Sequence, residues 1–146
     1  DTVYDSRSVA AIGVAAHEAG HAVQYATDYS PIKIRNFVIP ITNIGSRLAI
    51  PLVVLGLILS ALHFLIPVGI FLFCFVVFFQ AVTLPVEFNA SKRALETLRD
   101  FNILEDEELK KSKAVLNAAA MTYVAALAAS LLSLVRLLLL ANRRRN

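Results

Sequence analysis

The alternation of apolar and polar positions divides the chain into a polar start, a small-residue helix, two long uncharged runs and charged segments between them. Residues 1–7 are polar and predict irregular chain or a strand end, with Ser6 or Ser8 capping the first helix. From Val9 to about Thr27 the run VAAIGVAAHEAGHAVQYAT has helical spacing and almost no side-chain bulk. Gly13 and Gly20 would weaken an isolated helix by roughly 1 kcal/mol each, yet small residues let neighbouring helices approach closely. This helix, residues 8–27, is therefore expected to be buried among others. Asp28 to Pro31 breaks it, and residues 36–47 mix apolar and polar groups as a membrane interface does, with Arg47 at the hydrocarbon edge.

The run 48–86 carries no Asp, Glu, Lys or Arg. As one helix it would be about 58 Å long, twice a hydrocarbon thickness of about 30 Å, so it must fold back. Ser60 to Pro67 offers the turn, giving spans near 48–64 and 67–84. Pro85 is expected to open a new segment, 85–113, with Val86, Ala90, Ala94, Leu95 and Leu98 at helical spacing. The acidic cluster Glu105 to Glu108 and the lysines after it read as a solvated turn or short helix. Residues 114–135 are again uncharged, about 33 Å as a helix, and predict a third span over 114–141. The expected fold is all-α: a multi-pass membrane protein of three transmembrane helices, packed with the 8–27 helix and a glutamate-bearing helix at the membrane surface. A two-span hairpin returns the chain to the side it left, so the segment after Pro85 should share a side with the 8–27 helix.

Composition agrees with this picture. The chain has 146 residues, room for one domain, and is 58% hydrophobic but only 17% charged. Arg143, Arg144 and Arg145 supply much of the net charge of +3. Beside an apolar span, such a tail meets anionic lipid rather than nucleic acid. The single cysteine, Cys74, excludes an internal disulfide and a cysteine-based zinc site. A start at Asp1 without Met reads as a fragment or processed product.

The chemistry sits in His17-Glu18-Ala19-Gly20-His21, the pattern H-E-x-x-H. Two histidines four apart leave one helix face together and can share a metal ion, while Glu18 is placed to reach a metal-activated water as general base. Catalytic zinc takes three protein ligands and keeps a fourth position open. A metzincin would supply the third through Gly and His where Gln24 and Thr27 stand, and an intramembrane site-two protease would carry an Asp-Gly that occurs nowhere here. His63 falls at the hairpin tip, across the membrane, and Cys74 falls mid-membrane. Glu87, just after the hairpin, is the best third ligand; Glu96, Asp100 and the Glu105–Glu108 cluster are rivals that read as solvated charges. Ser91, one turn after Glu87, either meets the far nitrogen of a ligating histidine or simply packs. Arg93 pairs with a carboxylate or substrate or stays solvated, and Asn117 lines the site or bonds between helices.

The runs SVAAIGVAAHEAGHAVQ, YSPIKIRN, IPITNIGSRLA, TLPVEFNASKRAL and VLNAAAMTYVAALAASLLSLVRLLLL, in that order, resemble the bacterial YugP-like membrane zinc metallopeptidases over almost the whole chain. The resemblance implies a neutral zinc peptidase of the plasma membrane holding one Zn2+ through His17, His21 and Glu87, with Glu18 as catalytic acid/base. Similarity is looser to HtpX and CAAX-processing peptidases, whose glutamate begins E-x-x-x-D; Ser91 replaces that aspartate here. Family members also carry an N-terminal membrane anchor and soluble chain before the motif. The expected partners are a lipid bilayer and a peptide or protein substrate, membrane proteins among them, with no nucleic acid. A zinc-bound but catalytically silent scaffold is the alternative, and intact Glu18 argues against it. Basic residues on the motif side (Lys33, Arg35, Arg47, Lys92, Arg93, Arg99, Lys110, Lys111 and Lys113) place the site in the cytoplasm by the positive-inside rule.

Overall fold

The computed structural model describes residues 8–143, which form four α-helices and, among the described residues, no strand. They are α1 (Val9–Ala26), α2 (Ser30–Ile58), α3 (Leu65–Asp100) and α4 (Asp106–Arg143), with a 3₁₀ turn, Ser60–Leu62, between α2 and α3. Residues 1–7 and the last two tail arginines lie outside the described residues, as does the Ser6 alternative for the cap. Ser8 caps α1: its Oγ accepts the N–H of Ala11 at 3.2 Å.

Helices α1 and α3 end alike. Asp28 and Asn102 take left-handed backbone, φ 55° and 51°. After α1 the N–H of Tyr29 donates to the Gln24 carbonyl and that of Asp28 to Tyr25; after α3, Ile103 donates to Leu98 and Asn102 to Arg99. These paired bonds satisfy carbonyls that a helix end leaves orphaned, and short polar side chains tolerate the conformation they require.

Two expected boundaries are absent, at Pro85 and before the third span, and the stretch expected at the interface is continuous with the span after it. Residues 36–47 are helical and belong to α2, which runs through Pro40 and Pro51; α3 runs through Pro85; and the charged residues 106–113 start α4 rather than forming a separate turn. A proline removes one N–H and one helix bond, and inside a bundle of apolar helices that loss does not end the helix. α2, α3 and α4 are each long and apolar enough to cross a membrane. At 36 residues α3 is about 54 Å long, well beyond the hydrocarbon thickness.

The chain divides into two compact units. The first comprises residues up to Lys33 and Thr83–Val124; the second comprises Ile34–Val82 and the chain from Ala125 onward. In the second unit Ala49, Phe73 and Val76 form a core flanked by Leu72, Leu134 and Leu137. α2 and α3 pair antiparallel there: a Cβ on Gly45 would meet the Leu72 carbonyl, and one on Gly56 would meet Ile66. In the first unit the buried residues of α3 recur at Val86, Ala90, Ala94 and Leu98, joined by Ile32, Leu104, Leu116 and Ala120. α1 buries Gly13, Gly20 and Gln24 but exposes Val14, Val23 and Tyr25. Its small residues thus serve one close-packed face, and the helix is not enclosed on all sides as its composition suggested.

Candidate metal centre

The metal-ligand pattern on α1 faces α3 where the two helices nearly touch. A Cβ on Gly20 would stand 2.6 Å from the Ala90 carbonyl oxygen, so only glycine permits this approach. Gly20 directly precedes His21, and Ala90 lies between Glu87 and Ser91; the close approach therefore sets the distance between histidines and carboxylate.

Three side chains converge there. His17 Nε2 lies 3.2 Å and His21 Nε2 3.7 Å from the same oxygen, Glu87 Oε2. All three donor atoms lie within 4.8 Å of one another. The imidazole planes stand edge to face at 87°, with centroids 4.7 Å apart. Glu87 is 3% exposed, and a carboxylate that deep requires a cation or strong donors beside it. Each histidine uses its other nitrogen elsewhere: His17 Nδ1 is 3.0 Å from Ser91 Oγ, and His21 Nδ1 is 2.9 Å from Gln24 Oε1. Both Nε2 atoms and a carboxylate oxygen thus point into one space, where either a proton or a cation would hold them together. Zinc fits: ligands bound at 2.0–2.1 Å with tetrahedral angles lie about 3.3 Å apart, which the 3.2 and 3.7 Å separations bracket. The same preference acts on the proton. Glu87, with smaller help from Gln24 and from the charge of Glu18, holds the His21 imidazole above its ordinary 6.5 against the opposing effect of burial.

The other expected site residues are spread over α1, α3 and α4. Glu18 is exposed on α1. Ser91 is buried against His17. The Nε–H of Arg93 donates to Asn89 Oδ1 at 2.9 Å, one turn before it on α3. Asn117 is exposed on α4 and lines a cleft of about 590 Å³ with Phe88, Ser91, Leu95 and Lys113. Four of the six rival carboxylates are engaged away from the histidines: Glu96 with Lys92, Asp100 with Arg99, Glu107 with Lys110, and Glu108 with the Glu105 N–H. His63 and Cys74 are exposed and belong to the other unit.

Two contributors escaped the sequence reading. Gln24 entered it only as a departure from the metzincin pattern, and Asn89 not at all. Gln24 is three residues past His21 and seven past His17, so it shares their face; that spacing was the available signal.

A family model described as "Putative neutral zinc metallopeptidase" matches residues 1–142. A curated relative from Bacillus subtilis (strain 168), "Putative membrane protease YugP", is 43% identical over 140 residues, covering 96% of this chain and 62% of that protein. The chain thus spans less than two thirds of that relative's length. No solved structure matches.

Proposed function

The chain belongs to the neutral zinc metallopeptidase family, and from that premise we propose that it is a membrane-bound peptidase whose single Zn2+ is held by His17, His21 and Glu87. The observation that carries this reading is the meeting of two imidazole nitrogens and one buried carboxylate oxygen, with the far nitrogen of each histidine already engaged. A bound zinc ion supplies Lewis acidity, bringing a water's pKa from 15.7 to near 7 and offsetting negative charge on a substrate carbonyl oxygen. Glu18 accepts the proton of the attacking water as the oxygen adds to the peptide carbonyl carbon. It then returns that proton to the departing amine nitrogen as the C–N bond breaks. Its exposed position on α1, one residue from a ligand, suits a group that must meet both water and substrate. Ser91 steadies His17, Arg93 acts through Asn89, and Asn117 borders a cleft that Ser91 also lines.

The substrate is a peptide or protein, membrane proteins included, and the setting is a bacterial plasma membrane with the centre facing the cytoplasm. The test compares wild type with Glu18→Gln for zinc content and for chelator-sensitive cleavage of casein. Glu18→Gln is expected to retain zinc and to lose at least about 100-fold in cleavage, in the range of a lost general base. Equal cleavage by both proteins would sink the peptidase assignment.

A further inference from the structure

Gln24 is wholly buried, and its carboxamide makes three contacts. Its Nε2 donates to the Val86 carbonyl at 2.8 Å and to Asn89 Oδ1 at 3.0 Å, while its Oε1 lies 2.9 Å from His21 Nδ1. These partners leave the amide one orientation. A backbone carbonyl carries no proton, and Asn89 Oδ1 also receives the Nε–H of Arg93 at 2.9 Å, which identifies that atom as oxygen. The nitrogen of Gln24 must face both acceptors, so its oxygen must face His21. An oxygen acceptor at that distance requires the proton on Nδ1. In its neutral form His21 is thereby left with an Nε2 lone pair facing Glu87. Ser91 imposes no such choice on His17, because a hydroxyl both donates and accepts.

We propose that Gln24 is a positioning residue that fixes His21 in its Nδ1–H tautomer and so presents Nε2 as a metal donor, with Asn89 and Arg93 locking the orientation of Gln24 itself. This rests on the reading of His17, His21 and Glu87 as zinc ligands. Without the Gln24 oxygen, His21 distributes its proton between two nitrogens and is free to turn, and both effects weaken its bond to the metal.

The test uses the whole chain in detergent and reads zinc affinity by competition with a chromophoric chelator, metal-free thermal unfolding, and ¹⁵N spectra of histidine-labelled protein. Gln24→Met, which keeps the length but removes the acceptor, is expected to weaken zinc binding by about 10- to 100-fold, the usual effect of losing a ligand's hydrogen-bond partner. Gln24→Glu keeps an acceptor for Nδ1–H but loses both donors to α3. It should bind zinc within about threefold of wild type, since a carboxylate is itself a common partner of ligating histidine, while melting earlier than wild type without metal. In the zinc-loaded wild type, the His21 proton should reside on Nδ1. If Gln24 merely braced α1 against α3, the Met and Glu variants would lose zinc together and in step with stability, which would overturn the proposal. Ligation of wild-type His21 through Nδ1 would overturn it too, and that measurement needs no variant to fold. A wild type that binds no zinc would remove the ligand assignment and this inference with it. Undiminished binding by Gln24→Met would remove this inference alone.

Discussion

Glu87 closes the candidate centre, because the two histidines sharing α1 supply only neutral nitrogen. Truncation to alanine would leave two imidazoles and no anion, and zinc affinity should fall by more than the 10- to 100-fold typical of outer partners. Full zinc occupancy in Glu87→Ala, measured by metal analysis of the purified protein, would exclude it as a ligand. The meeting of His17, His21 and Glu87 in space was legible in the sequence for two separable reasons. A four-residue spacing puts the histidines on one helix face whatever surrounds them. The uncharged run between His21 and Glu87 is long enough to leave and re-enter one side of a membrane. The roles of Gln24 and Asn89 were not legible. Whether a polar side chain meets a neighbour on another helix depends on the rotation and register of both helices, and these are set by packing across the whole first unit.

At the scale of the element, the same packing explains why segment ends were misplaced. Pro85 reads locally as the start of a new segment, but it sits in a helix that continues through it. The missing N–H at Pro85 leaves the Ala81 carbonyl without its usual partner, a local cost smaller than the packing on either side. Gly20 shows the converse, a residue poor for helix propensity and required by the neighbour. Gly20→Ala would gain about 1 kcal/mol of propensity, yet its Cβ meets the Ala90 backbone and must push α1 from α3. A net loss of up to about 2 kcal/mol is expected, since overpacking typically costs 1–3 kcal/mol, together with weaker zinc binding as the histidines retreat from Glu87. Thermal unfolding of the metal-free protein and chelator competition would measure the two effects. A variant unchanged in both would show that the close approach does not set the geometry of the centre.

For the molecule as a whole, the charge-free runs made three spans legible, and the exposed surface agrees. Phe71 in α3 and Leu132 in α4 are 64% and 73% exposed, side chains that a bilayer accepts and water does not. A cytoplasmic centre predicts that a cysteine placed at Lys113, with Cys74 replaced by serine, reacts with a membrane-impermeant maleimide in inverted vesicles but not in intact cells. Labelling in intact cells would reverse the orientation. The separation of the candidate ligands along the chain has a further consequence, for biosynthesis. His17 and His21 leave the ribosome before the hairpin, and Glu87 leaves after it. At about 5–20 residues per second, the histidines wait several seconds for their carboxylate. During that interval the nascent chain has no complete centre to load with zinc. On the proposed ligand set, metallation is thus deferred until the two apolar helices have been made.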